Sequence, residues 1–138
     1  MNYFDEELIK DLKKLNITFS ILSEAEHNAI VNSINETMPF SGSQIAWSKL
    51  KNSINFGFEA SNLAISLLTE EINKKTNRKL YFVGDACSEG YSIDPEKLGE
   101  VLKILSELPQ HTYIIPEPMT WIACLSFEGH IDFAAIHA

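Results

Sequence analysis

The chain has 138 residues with 19 acids, 11 lysines and arginines, four histidines and a formal net charge of −8. A domain of this length exposes roughly 7,000 Å² against about 22,000 Å² unfolded, so it buries enough surface for one core without disulfide staples. Hydrophobic residues at 45% and charged residues at 22% exclude a disordered chain.

No apolar run reaches the roughly 18 to 20 residues that span a bilayer. The start, Met1 to Glu7, lacks the basic-then-apolar order of a signal peptide. The expectation is one domain over 1–138, located in the cytoplasm, with Cys87 and Cys124 as free thiols.

In chain order, Asp5 to Leu15 predicts a helix, with Leu8, Leu12 and Leu15 on one face. Acids lead it and Lys10, Lys13 and Lys14 close it, which suits the helix dipole. Ile17 to Leu22 predicts a strand. Ser23-Glu24-Ala25-Glu26 is a capping box opening a helix that carries Ile30, Ile34 and Met38 inward and stops before Pro39.

Residues 45–50 and 54–58 read as short strands, the second alternating Ile54, Phe56 and Phe58. A helical stripe follows at Leu63, Ala64, Leu67, Leu68, Glu71 and Ile72, with Lys74 and Lys75 at its exit. Leu80 to Val83 is a buried strand ended by Gly84-Asp85. Asp94-Pro95 starts a helix, Asp as N-cap and Pro in the first turn, with Leu98, Val101, Leu102, Leu105 and Leu108 inward.

Thr112 to Ile115 is the next strand, and the unit 80–115 fits a right-handed parallel crossover. Trp121 to Phe127 and Ile131 to Ile136 flank Glu128-Gly129 as a hairpin. The fold class is α+β: a mixed or mainly antiparallel sheet with helices packed on it and a C-terminal β-hairpin.

The acidity is uneven. Residues 1–80 carry ten acids and nine bases; residues 81–138 carry nine acids against Lys97 and Lys103. Such a half repels phosphate backbones and attracts basic surfaces. Arg78 is the one arginine, too few bidentate donors for a nucleic acid or phosphorylated ligand.

The run Gly84-Asp85-Ala86-Cys87-Ser88-Glu89-Gly90 has the glycines of a phosphate loop but not its Lys-Ser/Thr pair, and its carboxylates oppose phosphate. A polar connection is the simpler reading. Cys87 has no local signature of a thiol hydrolase, and nothing ties His27, His111, His130 or His137 to it. Cys124 reads as a core residue. His130 and Asp132 share one strand face, with His137 on the other, but a metal needs a third converging ligand. No catalytic residue, metal or cofactor is assigned on these grounds.

Tyr81-Phe82-Val83-Gly84-Asp85 with the acidic loop, Ser92-Ile93-Asp94, Leu108-Pro109-Gln110-His111-Thr112-Tyr113-Ile114, Trp121, Phe127-Glu128-Gly129 and Asp132-Phe133 resemble small bacterial immunity proteins. These are the antidotes encoded beside polymorphic toxins, including contact-dependent growth inhibition systems. The resemblance covers residues 80 to 135. It implies a non-enzymatic cytoplasmic protein that binds one cognate toxin domain, often a nuclease, and blocks its active site or substrate groove.

A nuclease presents cations to phosphates, so an inhibitor covering that groove does well to carry carboxylates. The partner expected is therefore the basic C-terminal domain of a toxin, bound one to one, with no nucleic acid and no membrane. The expected recognition residues are Asp85, Glu89, Asp94, Glu117, Glu128 and Asp132, with Tyr91 and Trp121 as aromatic anchors. The competing expectation is a small metal-dependent or thiol enzyme using His130, Asp132 or Cys87.

Overall fold

The computed structural model describes residues 1–42, 44–57 and 62–136. Four helices, α1 (Tyr3–Lys14), α2 (Glu24–Thr37), α3 (Asn62–Lys75) and α4 (Leu98–Ser106), accompany nine strands. Seven strands form one sheet in the order β1 (Phe19–Ile21), β6 (Tyr91–Ile93), β5 (Leu80–Gly84), β7 (Thr112–Ile115), β8 (Trp121–Leu125), β9 (Ile131–Ala135) and β4 (Ser53–Asn55). Every neighbouring pair is antiparallel. The remaining two, β2 (Phe40–Ser41) and β3 (Gln44–Ile45), make a small hairpin. The α+β class and the C-terminal hairpin are as the residue pattern predicts.

The strands are short and sit in a two-sided layer, so side chains alternate between two cores. One face carries Leu80, Phe82, Tyr91, Ile93, Ile114, Trp121, Ala123 and Phe133 against α1, α3 and α4. Phe82 stacks on Tyr91 at 5.1 Å between centroids, and Trp121 on Phe133 at 5.4 Å. Each pair adds about 1 kcal/mol beyond the area it buries. The other face carries Val83, Ile115, Ile122 and Ala134 against Ile34 and Met38 of α2 and Ile45 of β3.

Several local expectations change. The helix α1 starts at Tyr3 because Asn2 and Asp5 form a capping box. Residues 45–50 are not a strand: after Ile45 the chain makes a 3₁₀ turn over Trp47–Lys49. In 54–58 the strand is Ser53–Asn55, and Phe58 lies outside the described residues. The buried stripe of α3 is Ala64, Ile65, Leu68 and Ile72, while Leu63 faces solvent. Residues 95–97 form a 3₁₀ turn before α4, and the Asp94 side chain makes no capping bond.

The parallel crossover from Leu80 to Ile115 is corrected. β5 and β7 are antiparallel neighbours, in register from Tyr81↔Ile115 to Gly84↔Thr112. The cause is β6, a strand within the stretch read as loop, which folds back on β5 and reverses the chain before α4. The parallel pair joined through α4 is thus β6 and β7, one on each side of β5.

Candidate functional site

The registers divide the expected recognition residues. Gly84, Thr112, Leu125 and Ile131 mark one end of the sheet; Leu80, Ile115, Trp121 and Ala135 mark the other. Asp85 and Glu89 belong to the β5–β6 connection, and Glu128 to the β8–β9 connection, all at the Gly84 end. Asp94 follows Ile93, whose register partners are Phe19 and Leu80, and Glu117 follows β7, so both lie at the opposite end. The six carboxylates therefore do not make one surface.

Tyr91 and Trp121 are corrected as surface anchors. They are 0% and 1% exposed, because both point into the α1/α3/α4 core. The exposed aromatics at the Gly84 end are Tyr3 and Phe127, at 67% and 62%. Sequence reasoning did not single out Tyr3, and it placed Phe127 at the end of a hairpin strand. The turn residues Glu128-Gly129 were the signal that Phe127 sits at a hairpin tip rather than in a strand interior.

This rim is held by a continuous set of hydrogen bonds. The Asp5 carboxylate is fully buried and accepts from Ser88 N and Oγ at 2.9 and 2.7 Å, Glu89 N at 3.2 Å and the Tyr91 hydroxyl at 2.6 Å. Asn2 N also donates to it, and Asn2 Nδ2 donates to Ala86 O. Burial alone would raise this carboxyl's pKa, but the donors of Tyr91, Ser88 and Asn2 outweigh it and bring it down to about 2. Gln110 Oε1 accepts from the backbone N–H of Ala86 and Cys87, and its Nε2 donates to Thr112 Oγ1. The loop read as a polar connection thus has the N–H groups of Ala86, Cys87, Ser88 and Glu89 turned inward to protein acceptors rather than free for a phosphate.

From there the chain of contacts continues to the hairpin. His111 N donates to Asp85 Oδ1 at 2.9 Å, and Phe127 N donates to His111 Nδ1 at 2.9 Å. Glu128 Oε2 approaches the same His111 Nδ1 at 3.9 Å. Gln44 Nε2 donates to Glu128 Oε1 at 3.4 Å, joining the β2–β3 hairpin to the rim. Among the described residues no lysine or arginine comes within 4 Å of the carboxylates of Asp85, Glu89 or Glu128.

Behind this rim lies a half-open cavity of about 250 Å³ on the α2 face. Asp132, Cys124, Asn55, His130, His111, Tyr113 and Trp47 contribute to its walls. Cys124 and Asp132 are cross-strand partners, and Asn55 is the partner of Asp132 on β4. Asn55 Nδ2 donates to Asp132 Oδ1 at 2.8 Å. Burial raises the Asp132 pKa, opposed by the Asn55 hydrogen bond and by nearby His130.

The structure does not bring Cys87 together with His130 and Asp132. Cys87 packs into the α1/α3/α4 core, whereas Asp132 and His130 line a cavity on the opposite face. Burial and the Asp5 carboxylate push the Cys87 thiol up to about 12. Cys124, read as a core residue, stands beside Asp132, a neighbour visible only once the β8–β9 register is known. Its thiol is also pushed up, by burial first and then by Asp132, Asp85 and Glu128. A thiolate nucleophile needs a nearby cation, and these surroundings supply the opposite sign. Among the described residues no three His, Cys, Asp or Glu side chains converge as metal ligands; His137 lies outside the described residues. No described helix is long and apolar enough to cross a membrane.

Comparison with protein-family models, with curated proteins and with solved structures finds no match.

Proposed function

We propose that the protein is an inhibitory binding module, an immunity protein that captures one cognate toxin domain at the Gly84 end of its sheet and blocks that domain's substrate groove. One observation carries this reading. Asp85, Glu89 and Glu128 lie with exposed Tyr3 and Phe127 on a rim fastened from α1 to the β8–β9 hairpin, and no lysine or arginine among the described residues neutralises those carboxylates.

Carboxylates around exposed aromatic anchors suit a basic protein surface: the charges speed encounter, and the aromatics supply buried area once docked. A nuclease domain, whose groove holds phosphates, has that character. The rim is preorganised by buried hydrogen bonds, so little ordering entropy opposes docking. The resemblance of residues 80 to 135 to immunity proteins agrees with this, and the complex is one to one in the cytoplasm, with no cofactor.

The test is co-purification with the C-terminal domain encoded by the reading frame immediately upstream, followed by calorimetry. A stoichiometry of one and rescue of growth from that toxin domain are expected. Turnover of a substrate by the isolated chain, or no complex with that domain, contradicts the proposal.

A further inference from the structure

The cavity behind the rim has a composition that a structural void does not need. Its carboxylate, Asp132, is only 7% exposed, and the surrounding β8 and β9 positions are apolar. Evolution of a stable core would favour an apolar residue here, since a buried carboxylate costs several kcal/mol unless paired. Asn55 satisfies Oδ1 with a neutral hydrogen bond and the His130 imidazole is nearby, but no lysine or arginine among the described residues lies within 4 Å of Asp132. The walls add two aromatic rings, Trp47 and Tyr113, and Gln44 at the rim carries the bond to Glu128. The volume of about 250 Å³ has room for about eight waters at ~30 Å³ each, or for a long side chain and a few waters.

We propose that this cavity is the socket for one arginine of the protein partner, its guanidinium meeting the Asp132 carboxylate between Trp47 and Tyr113 while Glu128 guards the entrance. The proposal rests on the reading of the Gly84 end as the binding surface. Guanidinium suits the site better than an ammonium: it is planar, stacks on aromatic faces, pairs with carboxylate in two parallel bonds and is weakly hydrated, so it enters a half-buried pocket at lower cost. The arginine supplies a permanent positive charge to a carboxylate whose described neighbours in the free protein are the neutral Asn55 amide and the His130 imidazole. Asp132 is a binding residue whose carboxylate lowers the stability of the unbound fold, the pattern expected where function opposes stability.

Ethylguanidinium chloride titrated into the intact ¹⁵N-labelled protein tests this, with equal sodium chloride as the control. Saturable shifts are expected at the Asn55 side-chain amide, the Trp47 indole N–H and the backbone amides of Cys124 and Asp132. In Asp132→Asn the affinity should fall at least tenfold, with a melting temperature equal to or above that of the parent, which shows that the variant is folded. Non-saturable shifts, shifts reproduced by sodium chloride, or equal affinity in Asp132→Asn overturn the socket. Because no toxin domain is present, such a failure leaves the rim reading standing. Saturable binding together with no toxin complex would retain the socket's guanidinium chemistry but remove its assignment to a toxin arginine.

Discussion

Asp5 shows how one buried charge can be stable without a cation. Its two oxygens collect five hydrogen bonds from Asn2, Ser88, Glu89 and Tyr91, and it sits in the first turn of α1, where the helix dipole favours an anion. Its pKa in the fold, about 2, lies below the ordinary aspartate value of 3.8. The carboxylate therefore stabilises the fold fully above about pH 4, and that contribution is lost as pH falls toward 2.

Asp5→Ala should cost about 3 kcal/mol by leaving the loop donors unpaired, read as a lower urea midpoint at neutral pH. The difference between parent and variant should shrink at pH 2.5. The acid at the helix start was legible in the sequence, but its loop and Tyr91 partners were not, because they lie 83 to 86 residues away.

Trp121 poses the opposite problem. Its indole Nε1 is buried with no hydrogen-bond partner among the described residues. Trp121→Phe removes that unsatisfied donor while leaving a smaller ring on Phe133, so the cavity cost is partly offset. The expected destabilisation is about 1 kcal/mol, against about 4 kcal/mol for Trp121→Ala, measured by urea unfolding. Partner affinity should be unchanged in the Phe variant, because the side chain does not reach the surface. A tenfold loss would restore Trp121 as an anchor.

At the scale of elements, the β5–β6 connection decides the topology. Gly84 is required there by close approach: a Cβ would fall 2.2 Å from Gln110 Oε1, the acceptor that pins Ala86 N and Cys87 N. Gly84→Ala must expel the Gln110 side chain, and the expected cost is about 2 to 3 kcal/mol. Hydrogen exchange at Ala86 and Cys87 should accelerate more than at Ile122 in β8. Uniform acceleration would show instead that the connection has no local role.

Legibility varied by element for physical reasons. The helix α1 announces itself by apolar spacing and its charge order, though not by its Asn2 cap, and α2 opens with the Ser23–Glu26 box seen in the chain. By contrast β6 is three residues, Tyr91, Ser92 and Ile93, too short for periodicity to register, and missing it turned an antiparallel pair into an expected parallel one. The candidate site was half legible. Charge counting located Asp85, Glu89 and Glu128, but only the strand registers separate them from Asp94 and Glu117 and join Cys124, Asp132 and Asn55 in one cavity.

Across the whole molecule, the strand order sorts charge by end. The C-terminal turns of α1 and α3 bring Lys13, Lys14, Lys74 and Lys75 toward the Leu80 end, where Arg78, Lys79 and Lys97 also lie. The Gly84 end receives the N-terminal turn of α1, with Glu6, beside the Asp85–Glu89 loop. The Leu80 end thus mixes these bases with Asp94 and Glu117, whereas among the described residues no lysine or arginine pairs with Asp85, Glu89 or Glu128 at the Gly84 end, a difference that would steer the proposed basic partner there.

Glu89→Lys with Glu128→Lys should slow association about tenfold or more at low salt, with a smaller change in dissociation, and flatten the dependence on ionic strength. Stopped-flow association rates check this. The same reversal at Asp94 and Glu117 should leave them nearly unchanged.

Hydrogen–deuterium exchange on the proposed one-to-one complex with a toxin domain, compared with the free protein, tests most directly whether the Gly84 end is the binding surface. Protection is expected in the segments 85–89 and 126–130, with 94–97 and 116–119 exchanging as before. Protection confined to 94–97 and 116–119, with 85–89 and 126–130 still open to solvent, would contradict the assignment of the Gly84 end as the binding surface.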